Sequence, residues 1–437
     1  MRPSYKNCSG EVTPPLHSET IGKGHKVFRV KGKKKYITGL DIGTTKICAI
    51  IGEMSENNEL SILGVGSSPS HGLKQGMVVD IESTVNSIIN AVEKAEKMAN
   101  VEVKKVNVGI AGRHIQSLNT VGAVAISNPL RGVVERDVKR ALHKARSVVI
   151  PLEREIIHEV IQDFEIDGQK GIQNPIGMSG STLKVNLHLI TGSASITQNI
   201  INCVEQAGFK TSTPILESYA SSLSLLDESE RDLGVLLIDI GGGSADIAIF
   251  SGGCIKHTSG VDYAGDQITK DISEGLRTSK FNAENIKKRF GCAMAELVNE
   301  DEEFVVERVV DNKAIKVSKS NLSMIIEARM EEIFELVKRD TEKVMMKERV
   351  IGGVVLTGGT SLLLGIERLA GKIFNLPVRL GKPKDLKGMS SIVLSPIYST
   401  SVGLVLYGCR DSQLYPWEKK SIVSSFVKDI VRAVNNI

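Results

Sequence analysis

The sequence contains no C-x-x-C pair. Its six cysteines, Cys8, Cys48, Cys203, Cys254, Cys292 and Cys409, stand far apart, and its eight histidines include no H-E-x-x-H. Neither zinc-ligand spacing nor a disulfide framework is present, and the chain reads as a protein of a reducing compartment. A strong charge bias is also missing: 55 basic residues face 51 acidic ones, a formal net charge of +4. That balance argues against a dedicated nucleic-acid binder, so no nucleic-acid partner is expected. No apolar run reaches the ~18 to 20 residues needed to span a bilayer, so membrane contact is expected only as a peripheral one. The N-terminus has no apolar stretch of the kind a secretory signal requires. There is no G-x-x-x-x-G-K-[ST] and no strand-linked G-x-G-x-x-G, so the P-loop and Rossmann readings lose their main support.

At 437 residues the chain is too long for one ordinary core, since single cores rarely grow past roughly 250 to 300 residues. Two lobes with a cleft between them are expected. Lys23, Lys26, Arg29, Lys31, Lys33, Lys34 and Lys35 crowd a poorly periodic opening stretch. Residues 1–36 therefore read as a flexible basic arm.

The strongest internal feature is a repeat. ITGLDIGTTKICAIIG at 37–52 and VLLIDIGGGSADIAIFSGG at 235–253 share an apolar strand, an Asp, a glycine-centred turn and a second apolar strand. Each copy predicts a β-hairpin, turning through Gly43, Thr44, Thr45 and Lys46 or through Gly241, Gly242, Gly243 and Ser244. Facing each other, two such hairpins form a phosphate clamp. Glycines let backbone N–H groups approach phosphate oxygens, the Thr44, Thr45 and Ser244 hydroxyls can donate to them, and Lys46 adds a point charge. Asp41 and Asp239, at matching strand ends, can hold Mg2+ through its water shell. A single D-x-G turn usually serves only as a turn; two copies change the balance.

This arrangement resembles the actin, Hsp70 and sugar-kinase superfamily, whose related lobes clasp ATP between paired hairpins. Three further segments carry the resemblance. VVLTGGTSLLLGIERLA at 354–370 is a strand, a Gly358-Gly359 turn and a helix, similar to the adenosine motif. AENIKKRFG at 283–291 resembles the ribose and base helix, with Glu284 and Lys287 one turn apart on one face. DYAGDQITKDI at 262–272 resembles the segment after the second hairpin, where Gly265 lets the chain pass close to the nucleotide. The implied fold is α/β: an actin-like two-lobed ATPase fold with an inserted α+β subdomain and a C-terminal amphipathic helix. ATP and Mg2+ are the implied ligands.

The insertion directs the resemblance to one branch. Residues 116–193 carry their own signals, a strand at 123–128 and a helix from Glu135 to Ser147 with Val138, Ala141, Leu142 and Ala145 on its apolar face. HEVIQDFEIDGQKGIQNPIGMSGSTLKVNLHLIT at 158–191 is similar along its length to the subdomain specific to the bacterial FtsA family. SILGVGSSPSHGLKQGMVVDIEST at 61–84 and YSTSVGLVLYG at 398–408 match the same family. The implied division is a first lobe of 37–115 and 194–227, the inserted subdomain at 116–193, a second lobe of 228–261 and 329–408, and its outer subdomain at 262–328. FtsA proteins form actin-like filaments, bind the tail of the tubulin-like protein FtsZ and recruit later division proteins, at the division septum on the cytoplasmic side of the inner membrane. By resemblance, Lys316, Lys319 and Arg329, beside Glu332, become the docking site for the FtsZ tail, with an ordinary charged surface as the alternative. Asp239 and Glu217 become the candidate catalytic carboxylates, Glu217 for positioning an attacking water. Weak ATPase activity beside a mainly structural role is the expectation, and Glu217 serving only as a hinge-helix residue stays open.

After a linker at 409–418, Ile422, Val423, Phe426, Val427, Ile430, Val431 and Val434 recur at three- and four-residue spacing. Residues 418–437 hold four cations and two anions, a net of +2. Residues 419–437 therefore predict an amphipathic helix, docked either on the protein's own core or, as the resemblance implies, on an anionic membrane surface. Two other readings stand beside the division protein, an FtsA-like pilus-assembly ATPase and a small-molecule kinase on the same fold.

Overall fold

Runs of isoleucine, valine and leucine build two sheets from the same plan. The computed structural model describes residues 35–410 except 56–58, 212–213, 310 and 312. The predicted membrane helix at 419–437 and the basic arm up to Lys34 lie outside the described residues.

In the first lobe, strands Lys35–Ile42, Lys46–Met54 and Leu60–Pro69 form an antiparallel meander, and Lys105–Ile110 joins Lys35–Ile42 in parallel. In the second, Val235–Ile240, Ala245–Ser251 and Cys254–Val261 repeat the meander, and Val354–Thr357 joins Val235–Ile240 in parallel. The hairpin registers match. Asp41 pairs with Cys48 and Ile42 with Ile47, while Asp239 pairs with Asp246 and Ile240 with Ala245. The inner strands are buried almost throughout, as expected when helices cover both faces of a sheet. The sequence repeat is thus a repeat of strand order, direction and register.

The inserted subdomain is a four-stranded antiparallel sheet in the order Gln116–Ala125, Thr182–Ser193, Arg154–Ile166, Gln169–Ile172, with helix Glu135–Arg146 across it. Val138, Ala141, Leu142 and Ala145 all enter its core beside Phe164, Leu183, Val185 and Leu187. Gly122 lies so close beneath the helix that a Cβ there would overlap the Ala141 carbonyl. The strand expected at 123–128 begins earlier, at Gln116, and ends at Ala125. There the chain turns so that Ser127 and Val134 N–H bond the Asp137 carboxylate.

Three expected boundaries are corrected. The first strand begins at Lys35 rather than 37. Helix Lys319–Met345 runs unbroken through the 328/329 boundary, because Leu322, Ile326, Met330, Ile333 and Val337 form one buried stripe. Residues 387–409 belong to the first lobe, not the second: Lys387–Gly388 pairs with Leu60–Pro69, and Val393, Val402, Val405 and Cys409 pack with Ile37, Ile50 and Ile62. Helix Ser399–Arg410 lies across helix Glu217–Leu225 so closely that a side chain at Gly403 would overlap the Ala220 carbonyl. Cys409 and Arg410, read as linker, are its last residues. Among the described residues, no helix is long and apolar enough to cross a membrane.

Candidate functional site

Both hairpin turns close with the same bond, Gly43 N–H to Lys46 O at 3.1 Å and Gly241 N–H to Ser244 O at 3.0 Å. The turns meet face to face. A Cβ at Gly242 would overlap Thr45 Oγ1, and one at Gly243 would overlap Thr44 Oγ1 and stand 3.0 Å from Gln75 Cα. Thr44 Oγ1 accepts the Gly76 N–H at 2.9 Å, so the first turn is held from behind by the segment after the third strand. The Lys46 ammonium donates to Ile397 O at 2.6 Å and sits 4.7 Å over the Tyr398 ring.

Asp41 and Asp239 are buried at the matching strand ends. Burial raises the Asp41 carboxyl to about 6; Lys46 and Ser401 oppose the rise, and the Asp239 charge adds to it. Asp239 is also raised by burial, against bonds from Ser221 and Thr400. Asp246, paired in register with Asp239, accepts Gly112 N–H at 2.8 Å. Burial pushes its carboxyl up to about 7, with the Gly112 bond opposing. Glu217 begins helix Glu217–Leu225 and is half-buried, and an added Cβ at Gly109 would lie 2.7 Å from its Oε1. Burial raises it well above the ordinary carboxylate range, and Asp41, Asp246 and Asp239 raise it further. Four acidic side chains therefore share one electrostatic neighbourhood that favours a bound cation or proton.

The remaining nucleotide candidates close around the second turn. Gly265 N–H donates to Gly241 O at 3.1 Å and Asp266 N–H to Gly242 O at 2.7 Å, seating the start of helix Gly265–Leu276 on the turn. Lys287 Nζ donates to Gly265 O at 2.8 Å and pairs with Glu284 at 2.7 Å. Burial alone would raise Glu284, but Lys287, Thr269 and Lys288 outweigh it and bring the carboxyl down to about 2. Gly358 adopts φ 85°, and a Cβ there would lie 2.5 Å from Asp239 Oδ1. Around Gly359 there is more room, with Ile397 Cγ2 at 3.8 Å from an added Cβ. The expected helix after this turn starts only at Ile366, following a 3-10 turn at Gly359–Leu362. Thr360 Oγ1 donates to Gly241 O at 2.8 Å.

Each of the candidate partner residues is already in an ion pair within the chain. Lys316 pairs with Glu303 at 3.0 Å, Lys319 with Glu302, and Arg329 with both Asp271, at 2.5 Å, and Glu332. The membrane candidates Ile422 to Val434 lie outside the described residues. Sequence reasoning missed Asp246, Ser221, Thr400 and Ser401. Asp246 had a signal, the only charge inside the apolar run Ala245–Ser251; the hydroxyls, scattered through helix sequences, had none.

Comparison with known proteins follows the same outline. A family model described as "Cell division protein FtsA" matches residues 236–403, and one described as "SHS2 domain inserted in FTSA" matches 112–191. Among solved structures, a PilM-PilN type IV pilus biogenesis complex is similar at TM-score 0.60 and 16% identity, covering 85% of this chain and 98% of that one. MreB5 of Spiroplasma citri bound to ADP is similar at TM-score 0.50 and 16% identity, covering 87% and 99%. These likenesses show the fold, the actin-like one with the inserted subdomain. Among curated proteins, Cell division protein FtsA of Pseudomonas aeruginosa is 45% identical over 86% of this chain and 90% of its own length. That of Escherichia coli K12 is 38% identical over 87% and 92%. With identity at this level running through both lobes and the insertion, the chain belongs to the FtsA family of cell division proteins.

Proposed function

We propose that the chain binds ATP with hydrated Mg2+ between its paired hairpins, assembles with copies of itself, and tethers FtsZ filaments to the cytoplasmic face of the inner membrane at the septum, where it recruits later division proteins. The observation that carries the nucleotide reading is the meeting of two hairpins of identical register, with glycine backbone on one side and threonine hydroxyls on the other. Among the described residues, no group of three or more His, Cys, Asp or Glu side chains could hold a metal ion on its own. Asp41 and Asp239, two buried carboxylates at matching strand ends, would suit a hydrated Mg2+. When bound, that ion would neutralise phosphate charge. The chain's own part is to orient: Asp41 and Asp239 toward the ion, the turn N–H groups of both hairpins toward the phosphates, and Glu284 and Lys287 toward the sugar and base. Glu217, at the start of helix Glu217–Leu225 beside Gly109, is suited to hold a water, and nucleotide binding would chiefly set lobe closure and assembly.

Membrane attachment rests on the apolar spacing of Ile422, Val423, Phe426, Val427, Ile430, Val431 and Val434. The modest +2 of this stretch fits an anchor that works through avidity in filaments. Docking of the acidic, apolar FtsZ tail is assigned to the surface of Lys316, Lys319, Arg329 and Glu332. Two measurements test the clamp and the anchor. Gly242→Asp should abolish ATP retention, and retention at the wild-type level would refute the clamp. Sedimentation with anionic liposomes should depend on residues 419–437, and unchanged binding after their removal would refute the anchor.

A further inference from the structure

Helix Ser399–Arg410 reaches both aspartates with neighbouring hydroxyls. Ser401 Oγ donates to Asp41 Oδ2 at 3.3 Å, and Thr400 Oγ1 donates to Asp239 Oδ2 at 3.1 Å. Ser221, on the crossing helix Glu217–Leu225, bonds the same Asp239 oxygen at 2.9 Å, and its hydroxyl lies 3.0 Å from that of Thr400. All three hydroxyl residues are buried. The close crossing at Gly403 and Ala220 is what brings Ser221 and Thr400 within reach of each other.

The arrangement sorts the carboxylate oxygens. In each aspartate Oδ2 faces a hydroxyl. Oδ1 faces glycine instead: an added Cβ would lie 3.7 Å from Asp41 Oδ1 at Gly43, and 2.5 Å from Asp239 Oδ1 at Gly358. A buried carboxylate held at one oxygen by a hydroxyl has its second oxygen fixed in direction. Asp41 and Asp239 sit on different lobes, so two independent side chains are oriented by adjacent residues of one helical turn.

On the reading that the hairpins hold a nucleotide with hydrated Mg2+, we infer that Thr400 and Ser401 are positioning residues. They aim the Oδ1 oxygens of Asp239 and Asp41 so that an ion would be held from both lobes at once. A purely structural role would look different. Ser224 belongs to the same buried seam, donating to Ser221 O and Ser399 O at 2.9 and 2.8 Å, and has no bond to either aspartate among those described. Removing it should loosen the helix crossing and leave the ion untouched.

The test measures binding of a fluorescent ATP analogue to the full chain, with Mg2+ and with EDTA. Thr400→Val and Ser401→Ala should each weaken binding in Mg2+ by about tenfold, the size expected for one lost bond to a charged group, and leave binding in EDTA unchanged. Thr400→Ser should restore the Mg2+ response, and Ser224→Ala should lower Tm without altering it. Equal losses with and without Mg2+, or a Ser224→Ala effect matching the others, would overturn the inference. If Thr400→Val does not fold, the smaller Ser401→Ala change and the Thr400→Ser rescue decide between the same outcomes. Absence of any Mg2+-dependent binding in the wild-type chain would instead refute the nucleotide reading itself.

Discussion

Gly242 of the second hairpin lies directly against Thr45 of the first: a methyl at Gly242 would overlap the Thr45 hydroxyl and stand 3.1 Å from its Cβ. Because the two residues come from different lobes, this contact measures how closely the hairpins approach. Gly242→Ala should push the turns apart and lower nucleotide affinity. Thr45→Ala removes the overlapping oxygen, so the double variant should recover part of the loss. A double-mutant cycle on nucleotide affinity should give a coupling of about 1 kcal/mol, and additive effects would show that the turns do not meet in solution.

Asp246 should set part of the pH dependence of folding. Burial raises its carboxyl from an ordinary 3.8 to about 7, so the folded state holds a proton that the unfolded chain has already lost. Stability from this group is therefore full below about pH 4 and declines as pH rises toward 7. Asp246→Asn keeps an acceptor for Gly112 N–H and removes the titration. Without divalent cations, the variant should melt higher than wild type at pH 8, by roughly 2 °C or more, and the gap should close on approaching pH 4. A gap independent of pH would contradict the buried, protonated carboxyl.

How much of this was legible in the sequence depends on the distance over which each feature is encoded. The hairpins, their turns and the aspartates at their ends are local, and the repeat marked them twice. Glu284 and Lys287 needed only helical spacing, and they do pair. The return of residues 387–410 to the first lobe was not legible, because nothing local distinguishes a helix that packs on one lobe from one that packs on the other. That return depends on Gly403 meeting Ala220, a contact between residues far apart in the chain. The hydroxyls of Ser221, Thr400 and Ser401 were invisible for the same reason: a serine in an apolar helix acquires a role only through what the crossing places beside it. The lysines and arginine read, beside Glu332, as a docking site for an acidic, apolar peptide also pair with Glu303, Glu302 and Asp271, partners that a charge count along the chain does not identify.

The inserted subdomain is fastened to the second lobe as well as to the first. His188 Nδ1 lies 2.7 Å from Asn119 Oδ1 and its Nε2 lies 3.2 Å from Thr258 Oγ1, while Ser117 donates to Thr258 O at 2.8 Å and Asn119 to Lys256 O at 3.0 Å. Burial lowers the His188 ring to about 3, so it stays neutral here at physiological pH. His188→Leu leaves the buried Thr258 hydroxyl without this partner and should cost roughly 1 to 3 kcal/mol of stability. Hydrogen exchange should speed up in 116–125 and 254–261, while strand Val235–Ile240 stays protected. Uniform loss of protection across the second lobe would mean that the histidine supports the whole fold rather than this docking.

Lys316 and Arg329 together test the proposed docking surface. The Arg329 guanidinium contacts both oxygens of Asp271, at 2.5 and 3.0 Å, and also Glu332, so it ties helix Lys319–Met345 to helix Gly265–Leu276. Lys316 is three-quarters exposed and, among the described residues, pairs with the half-exposed Glu303 at 3.0 Å, a pair of the kind that contributes little to stability. An acidic tail can displace Glu303 easily and Asp271 only at the expense of the helix contact. Lys316→Glu should therefore weaken binding of an FtsZ tail peptide by about three- to tenfold at low salt, through slower association, with Tm nearly unchanged. Arg329→Ala should lower Tm as well as affinity. Fluorescence anisotropy with the peptide, repeated at high salt, separates the two: the Lys316 effect should fade as salt screens it, and the Arg329 effect should persist. An unchanged affinity in Lys316→Glu would place the tail on another surface.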